Sequence, residues 1–203
     1  MPNKTMINLL GGLVLMLGSA AAATYSSVYL TLNQTKGRLI LGAKNTAPPL
    51  LNAKTPVIRS GMAFVTLTHS GDWALKLSPK LPLSLTVQRS EGNAWLDLRP
   101  FKLRGLTLLQ ENGELKISLP AETLDVHLDQ TRGETIITLP KSVGVRVKAE
   151  QFSQGELVMN GKTMAAGSDS DDKYQSDNFE AAKHKVNIYL TLVDGKVILK
   201  SSP

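Results

Sequence analysis

With 203 residues, 42% of them hydrophobic and 20% charged, the chain is long and apolar enough to bury a core, which excludes a disordered polymer. It contains no cysteine, so a disulfide framework, a thiolate metal site and a cysteine nucleophile are excluded. Its net charge of +6 is scattered over positions such as Arg38, Lys54, Arg59, Lys80 and Arg89 rather than gathered in a run, which argues against nucleic acid as a partner.

The chain opens with Lys4, an apolar stretch over residues 6–17 and then Gly18-Ser19-Ala20-Ala21-Ala22-Ala23. That order predicts a secretory signal peptide over residues 1–23. An N-terminal membrane anchor is the alternative, because residues 6–23 approach the length that spans a bilayer. Either way the rest is expected outside the cytoplasm, in the periplasm or at the surface of a bacterial cell envelope.

Residues 24–60 read as an N-terminal hairpin and loop. Val28-Tyr29-Leu30-Thr31-Leu32 and Leu39-Ile40-Leu41 alternate around a polar turn closed by Gly37, and the stretch around Pro48-Pro49 has no period. Val28-Tyr29-Leu30-Thr31-Leu32 echoes Ile188-Tyr189-Leu190-Thr191-Leu192, so the hairpin is a candidate capping coil.

Over residues 61–203 a repeat takes over. Glycines that follow a polar turn fall at 71, 92, 113, 133 and 155, at intervals of 21, 21, 20 and 22 residues, and the next follows at 195. Four positions after them lie Leu75, Leu96, Ile117, Ile137, Met159 and Leu199, with Lys76, Asp97, Ser118, Thr138 and Lys200 one position further on. Apolar residues therefore form one inward face of a strand. Pro79, Pro100, Pro120 and Pro140 close these strands, since proline lacks a donor and ends a ladder. Each unit reads as strand, glycine turn, strand, corner. The expected fold is all-β: a single β-solenoid of ~20–22-residue two-strand coils, with a polar loop at 162–176 in place of one unit. A β-sandwich or jelly roll is the alternative.

The pattern in Trp73-Ala74-Leu75-Lys76-Leu77-Ser78-Pro79, in Gly113-Glu114-Leu115-Lys116-Ile117-Ser118-Leu119-Pro120 and in Val143-Gly144-Val145-Arg146-Val147 resembles the toast-rack domain of bacterial envelope-stress and cell-wall-antibiotic-response proteins, with its adhesin-like relatives. The resemblance covers roughly residues 61–200. It implies a β-solenoid exported through or tethered at the membrane. Many members have acidic turns, where this chain carries Lys, Arg and Gln.

No residue pattern points to catalysis. The three histidines, His69, His127 and His184, are far apart, no nucleophile elbow is present, and His127 has the parity of an outward side chain. Glu114, Glu134 and Glu156 each follow a turn glycine and read as an echo of the repeat, offset by Lys116 or Arg132. Ser168-Asp169-Ser170-Asp171-Asp172 lacks the glycine and distal glutamate of a calcium loop and reads as solvated. No cofactor and no metal site are expected. Trp73 shares the inward parity of Leu75, whereas Trp95 has the opposite parity to Leu96, so Trp95 is the candidate binding residue. The function these features imply is an exported, non-enzymatic scaffold or interaction module that meets an envelope protein or wall polymer close to the membrane. The alternative is a periplasmic lipid-transfer module with an open groove.

Overall fold

A computed structural model describes residues 26–44, 57–167 and 173–202. Among these the chain is all β, with fifteen strands. The predicted leader over 1–23 and the acidic stretch 168–172 lie outside the described residues. Among those described, no helix is long and apolar enough to cross a membrane.

The strands pair off as half-turns of a winding chain. β1 (Ser27–Gln34) leads into β2 (Leu39–Ala43), β4 (Met62–His69) into β5 (Trp73–Leu77), β6 (Leu83–Arg89) into β7 (Ala94–Asp97), β8 (Leu103–Gln110) into β9 (Glu114–Ser118), and β10 (Leu124–Gln130) into β11 (Glu134–Leu139). β12 (Val143–Met159) and β15 (His184–Ser201) each make a whole coil as one long strand. The first strand of every coil stacks in one parallel sheet and the second in another, and neighbouring coils are in register. Leu30 lies beside Val65 and Leu85, Leu85 beside Leu106, and Leu106 beside Val126. On the facing sheet, Leu75, Leu41, Leu96, Ile117, Ile137 and Leu199 follow one another. Parallel pairing of strands about one coil apart needs a connection that crosses over, so this is a β-solenoid and not a sandwich of hairpins.

Period-two alternation builds the core. In β10 the burial alternates without a break from Leu124 to Gln130. The two inward faces form one continuous cluster, with Leu30, Leu85, Leu106, Leu41 and Leu96 at most 2% exposed. Each such leucine contributes about 1.5–3 kcal/mol relative to exposure. These columns fill the space between the sheets instead of lining a groove, so nothing in them favours lipid carriage.

Chain order and stacking order part company at both ends. Along the rod the coils run 62–77, 27–43, 83–97, 103–118, 124–139, 184–201, 143–159. The first and last coils in sequence are each tucked one place inside. Within the expected hairpin and loop over 24–60, residues 27–43 form a coil: β1 pairs with β4 and β6, and β2 pairs with β5 and β7. A hairpin and a coil share the same strand–turn–strand alternation; they differ in whether the turn returns the chain beside itself or sends it to the facing sheet. The outermost position belongs to 62–77, against whose edge the short β3 (Val57–Arg59) pairs antiparallel along Met62, Ala63 and Phe64.

The expected loop at 162–176 holds two strands, β13 (Lys162–Gly167) and β14 (Lys173–Gln175), which pair antiparallel with the two halves of β12 and cover the other end. Phe179 seals the adjoining segment, its backbone so close to Gly144 that a Cβ there would lie 2.7 Å from it. Covered edges of this kind block edge-to-edge association.

The turn glycines have a shared cause. Gly113 has φ +110°, and a Cβ on it would fall 1.9 Å from the carbonyl oxygen of Gly92 on the neighbouring coil. Gly92, Gly133 and Gly195 meet the coil before them in the same way, so the glycines stack as closely as their backbones allow. Inside this edge runs a column absent from the sequence-based expectations: Gln34, Arg89, Gln110 and Gln130, in register and 1–3% exposed. Gln34 Nε2 donates to Gly71 O at 2.7 Å, Gln130 Nε2 to Gly133 O at 2.8 Å, and Arg89 donates to Gln34 Oε1 and Gly37 O, both at 3.0 Å. The column supplies donors to carbonyls that a tight turn aims inward.

Candidate functional site

Trp95 sits on β7 between the buried Ala94 and Leu96, pointing out of the second sheet and half-buried there. Its neighbours across the ladder are Ile40 and Lys116. The same outward column continues through Ala74 on one side and through Ile136 and Ile198 on the other, ending at Val158, which is buried beside β13. Five rung intervals at about 4.8 Å make the accessible stripe about 24 Å long. Lys116 is its single polar member. Sequence reasoning identified Trp95 by parity but not the stripe, because Ile40 and Ile198 reach it only through the exchanged order of the end coils.

Ion pairs flank the stripe. Lys116 bridges to Glu114, and Lys196 Nζ meets Glu156 Oε2 at 2.8 Å. Arg99 forks onto Asp97, Nε to Oδ1 at 2.8 Å and a terminal nitrogen to Oδ2 at 2.9 Å. The hydrogen bond from Arg99 holds the Asp97 carboxyl below its ordinary range, with a longer-range attraction from Lys76 in the same direction. Glu156 is held down likewise, first by Lys196 and then by the hydroxyl of Thr163. The three glutamates do follow the repeat: Glu114 lies beside Glu134, and Lys196 intervenes between Glu134 and Glu156 because the 184–201 coil is inserted there.

Around Trp95 the surface sinks into an open trough of about 510 Å³, with Ile40, Lys76, Arg99, Lys116, Ile136 and Lys200 among its lining residues. An aromatic ring with aliphatic neighbours, beside the Asp97–Arg99 and Glu114–Lys116 pairs, can bury apolar area against a partner. It offers no nucleophile and base in contact. The histidines stay apart: His69 rests against Trp73 with ring centroids 5.2 Å apart, His127 is exposed and stacks on Tyr189 at 4.8 Å, and His184 opens β15. Among the described residues, no group of three or more His, Asp or Glu side chains is placed to hold a metal ion. Of the other aromatics weighed in the sequence, Trp73, Phe101 and Phe179 are buried, and Phe152 packs against the core.

No protein-family model matches the chain, and no curated protein matches it. The fold is similar to that in the crystal structure of a "putative cell adhesion protein" from Clostridium sporogenes ATCC 15579, with a TM-score of 0.66 and 17% identity over 88% of this chain and 94% of that one. At that identity the likeness is one of fold, and it extends over nearly the whole solenoid. Of the resemblance to the toast-rack family, the structure bears out the all-β fold, and no family-model match supports the family itself.

Proposed function

We propose that the protein is an exported, non-enzymatic interaction module of the bacterial cell envelope, which docks a protein partner on the face around Trp95. The observation that carries this reading is the outward column Ala74, Ile40, Trp95, Ile136 and Ile198, apolar except for Lys116 between Trp95 and Ile136. Solvated sheet faces normally alternate to polar residues, and an outward column that is mostly apolar marks contact. The adhesion role named for the similar crystal structure is compatible with such a module, as are the leader-like residues 1–23 and the toast-rack resemblance.

The test is cross-linking in intact cells from a photoreactive residue at position 95 and, as a control, at position 66 on the opposite sheet. The reading expects one discrete adduct from position 95 that is lost when Ile40 and Ile136 are both changed to Asp. Equal or absent adducts at the two positions would refute it.

A further inference from the structure

The outer side of the first sheet is built on different chemistry. Tyr29 and Phe64, 37% and 36% exposed, stack with ring centroids 4.8 Å apart and planes within 14°. That separation is the rung spacing, so the rings lie across the rod axis and the second face of Tyr29 turns toward the next coil. The register places Ser84 there. Gly105 follows Ser84, and the pairing of Val126 with Leu106 sets Asp125 beyond Gly105. Two small residues in succession leave a slot walled by a phenol ring at one end and a carboxylate at the other. Thr31, Thr86 and Thr107 line up along its side, and the depression measures about 450 Å³.

Gly105 carries the case further. It lies inside β8, next to a register shift opposite Leu83 and Ser84. Its φ is not positive, and a Cβ on it would meet nothing within 4 Å. The packing does not call for glycine, which weakens a strand. A mid-strand glycine marks a bulge or a close approach of another molecule, and the open space above Gly105 provides for the second as well as the register shift for the first.

We propose that this slot binds a pyranose ring of a glycan chain. The flat C–H face of a sugar matches the free face of Tyr29, and its hydroxyls match the remaining walls. Asp125, oriented by a hydrogen bond from Asn187 Nδ2 at 2.9 Å, accepts from adjacent sugar hydroxyls. Ser84, Thr86 and Thr107 both donate and accept. Further along the axis the exposed His127–Tyr189 stack offers a second platform for a later unit of the same chain. An acyl chain would strand this row of hydroxyls, and a phosphate would meet the Asp125 carboxylate. A quaternary ammonium would fit Tyr29 and Asp125 but would face Arg104, which also lines the slot. The site shares no residue with the Trp95 face, so either can fail without the other.

The test is isothermal titration of the full protein with cellohexaose, chitohexaose, maltohexaose and phosphocholine. At least one hexasaccharide is expected to bind with a submillimolar Kd, weakened about tenfold or more by Tyr29→Ala and by Asp125→Ala. Gly105→Leu is the sharpest variant: open space should leave its melting midpoint unchanged while the new side chain fills the slot and abolishes binding. Trp95→Ala should bind as wild type does. Failure of every hexasaccharide at millimolar concentration, binding indifferent to Gly105→Leu, or binding of phosphocholine in place of sugar would overturn the proposal.

Discussion

The turn edge of the rod is closed in two ways. In four coils the last inward residue before the turn is polar, Gln34, Arg89, Gln110 or Gln130, and the strand ends there. In the 184–201 and 143–159 coils the same register position holds Leu192 and Phe152, and β15 and β12 run on without a break. Where the side chain is polar, Gln34, Arg89 and Gln130 donate to inward-facing turn carbonyls, Gly71 O, Gly37 O and Gly133 O, while Gln110 Oε1 accepts from Arg89. Where it is apolar, the backbone serves itself, since Asp194, Gly195 and Lys196 stay paired with Gln154, Gly155 and Glu156 across the turn. A buried polar side chain thus permits a tight turn, and an apolar one requires a strand that sweeps through it.

Alanine at the two kinds of turn glycine should break this comparison open most widely. Gly113→Ala forces a Cβ to 1.9 Å from Gly92 O at φ +110° and is expected to cost about 3 kcal/mol or more in urea denaturation, or to prevent folding. Gly155 lacks a positive φ, and its added Cβ meets the side chain of the buried Leu192 at 2.3 Å and not a backbone atom so closely, so Gly155→Ala should cost less, about 1–3 kcal/mol. Equal losses would mean that the close glycine column is not what constrains the tight turns.

Arg89 comes next. Arg89→Leu leaves Gln34 Oε1 and the carbonyls of Gly37 and Glu91 without their donor, and should cost about 2–3 kcal/mol. Arg89→Gln repeats the residue found on three other coils and should stay within about 1 kcal/mol of wild type. Burial pushes the Arg89 guanidinium down to about 10, well below its ordinary value. The unfolded chain therefore holds that proton more tightly, and the penalty is in full force below pH 10 and is relieved as pH rises above it. The glutamine variant should lack that alkaline gain when melting points are compared across the same window.

A smaller and opposite effect is expected at Thr135, which is fully buried in an apolar column just after a tight turn, with its hydroxyl unpartnered. Thr135→Val should raise stability by about 1 kcal/mol by calorimetry. The smallest effect concerns the exposed face. Asp97, held below its ordinary range chiefly by Arg99, contributes stability that is present above the unfolded carboxylate pKa and is lost as pH falls through the lower folded one. The pair is largely exposed, so the difference between wild type and Asp97→Asn in an acid titration should stay under about 1 kcal/mol.

Much of the solenoid was legible because its cause is local. Strand alternation and a glycine required by each turn recur in sequence at the period at which coils stack in space, and Trp95 opposite Leu96 gave its outward direction directly. The polar column also left a mark, a Gln or Arg three residues before Gly37, Gly92, Gly113 and Gly133, which hydrophobic patterning passes over. The exchanged end coils left none. Whether the 27–43 coil stacks outside or inside 62–77 depends on the fit of whole faces, since either order satisfies the same alternation. For that reason the Tyr29–Phe64 stack, the slot beside it and the full length of the Trp95 stripe became visible only with the coil order.

That order is open to native-state hydrogen exchange. A solenoid stacked in chain order frays from its sequence termini inward. With the terminal coils tucked inside, amides of β1 and β15 should be protected as strongly as those of β8 and β10, while those of β4, β5 and β12 exchange sooner. Fast exchange in β1 and β15 with slow exchange in β5 and β12 would contradict the stacking.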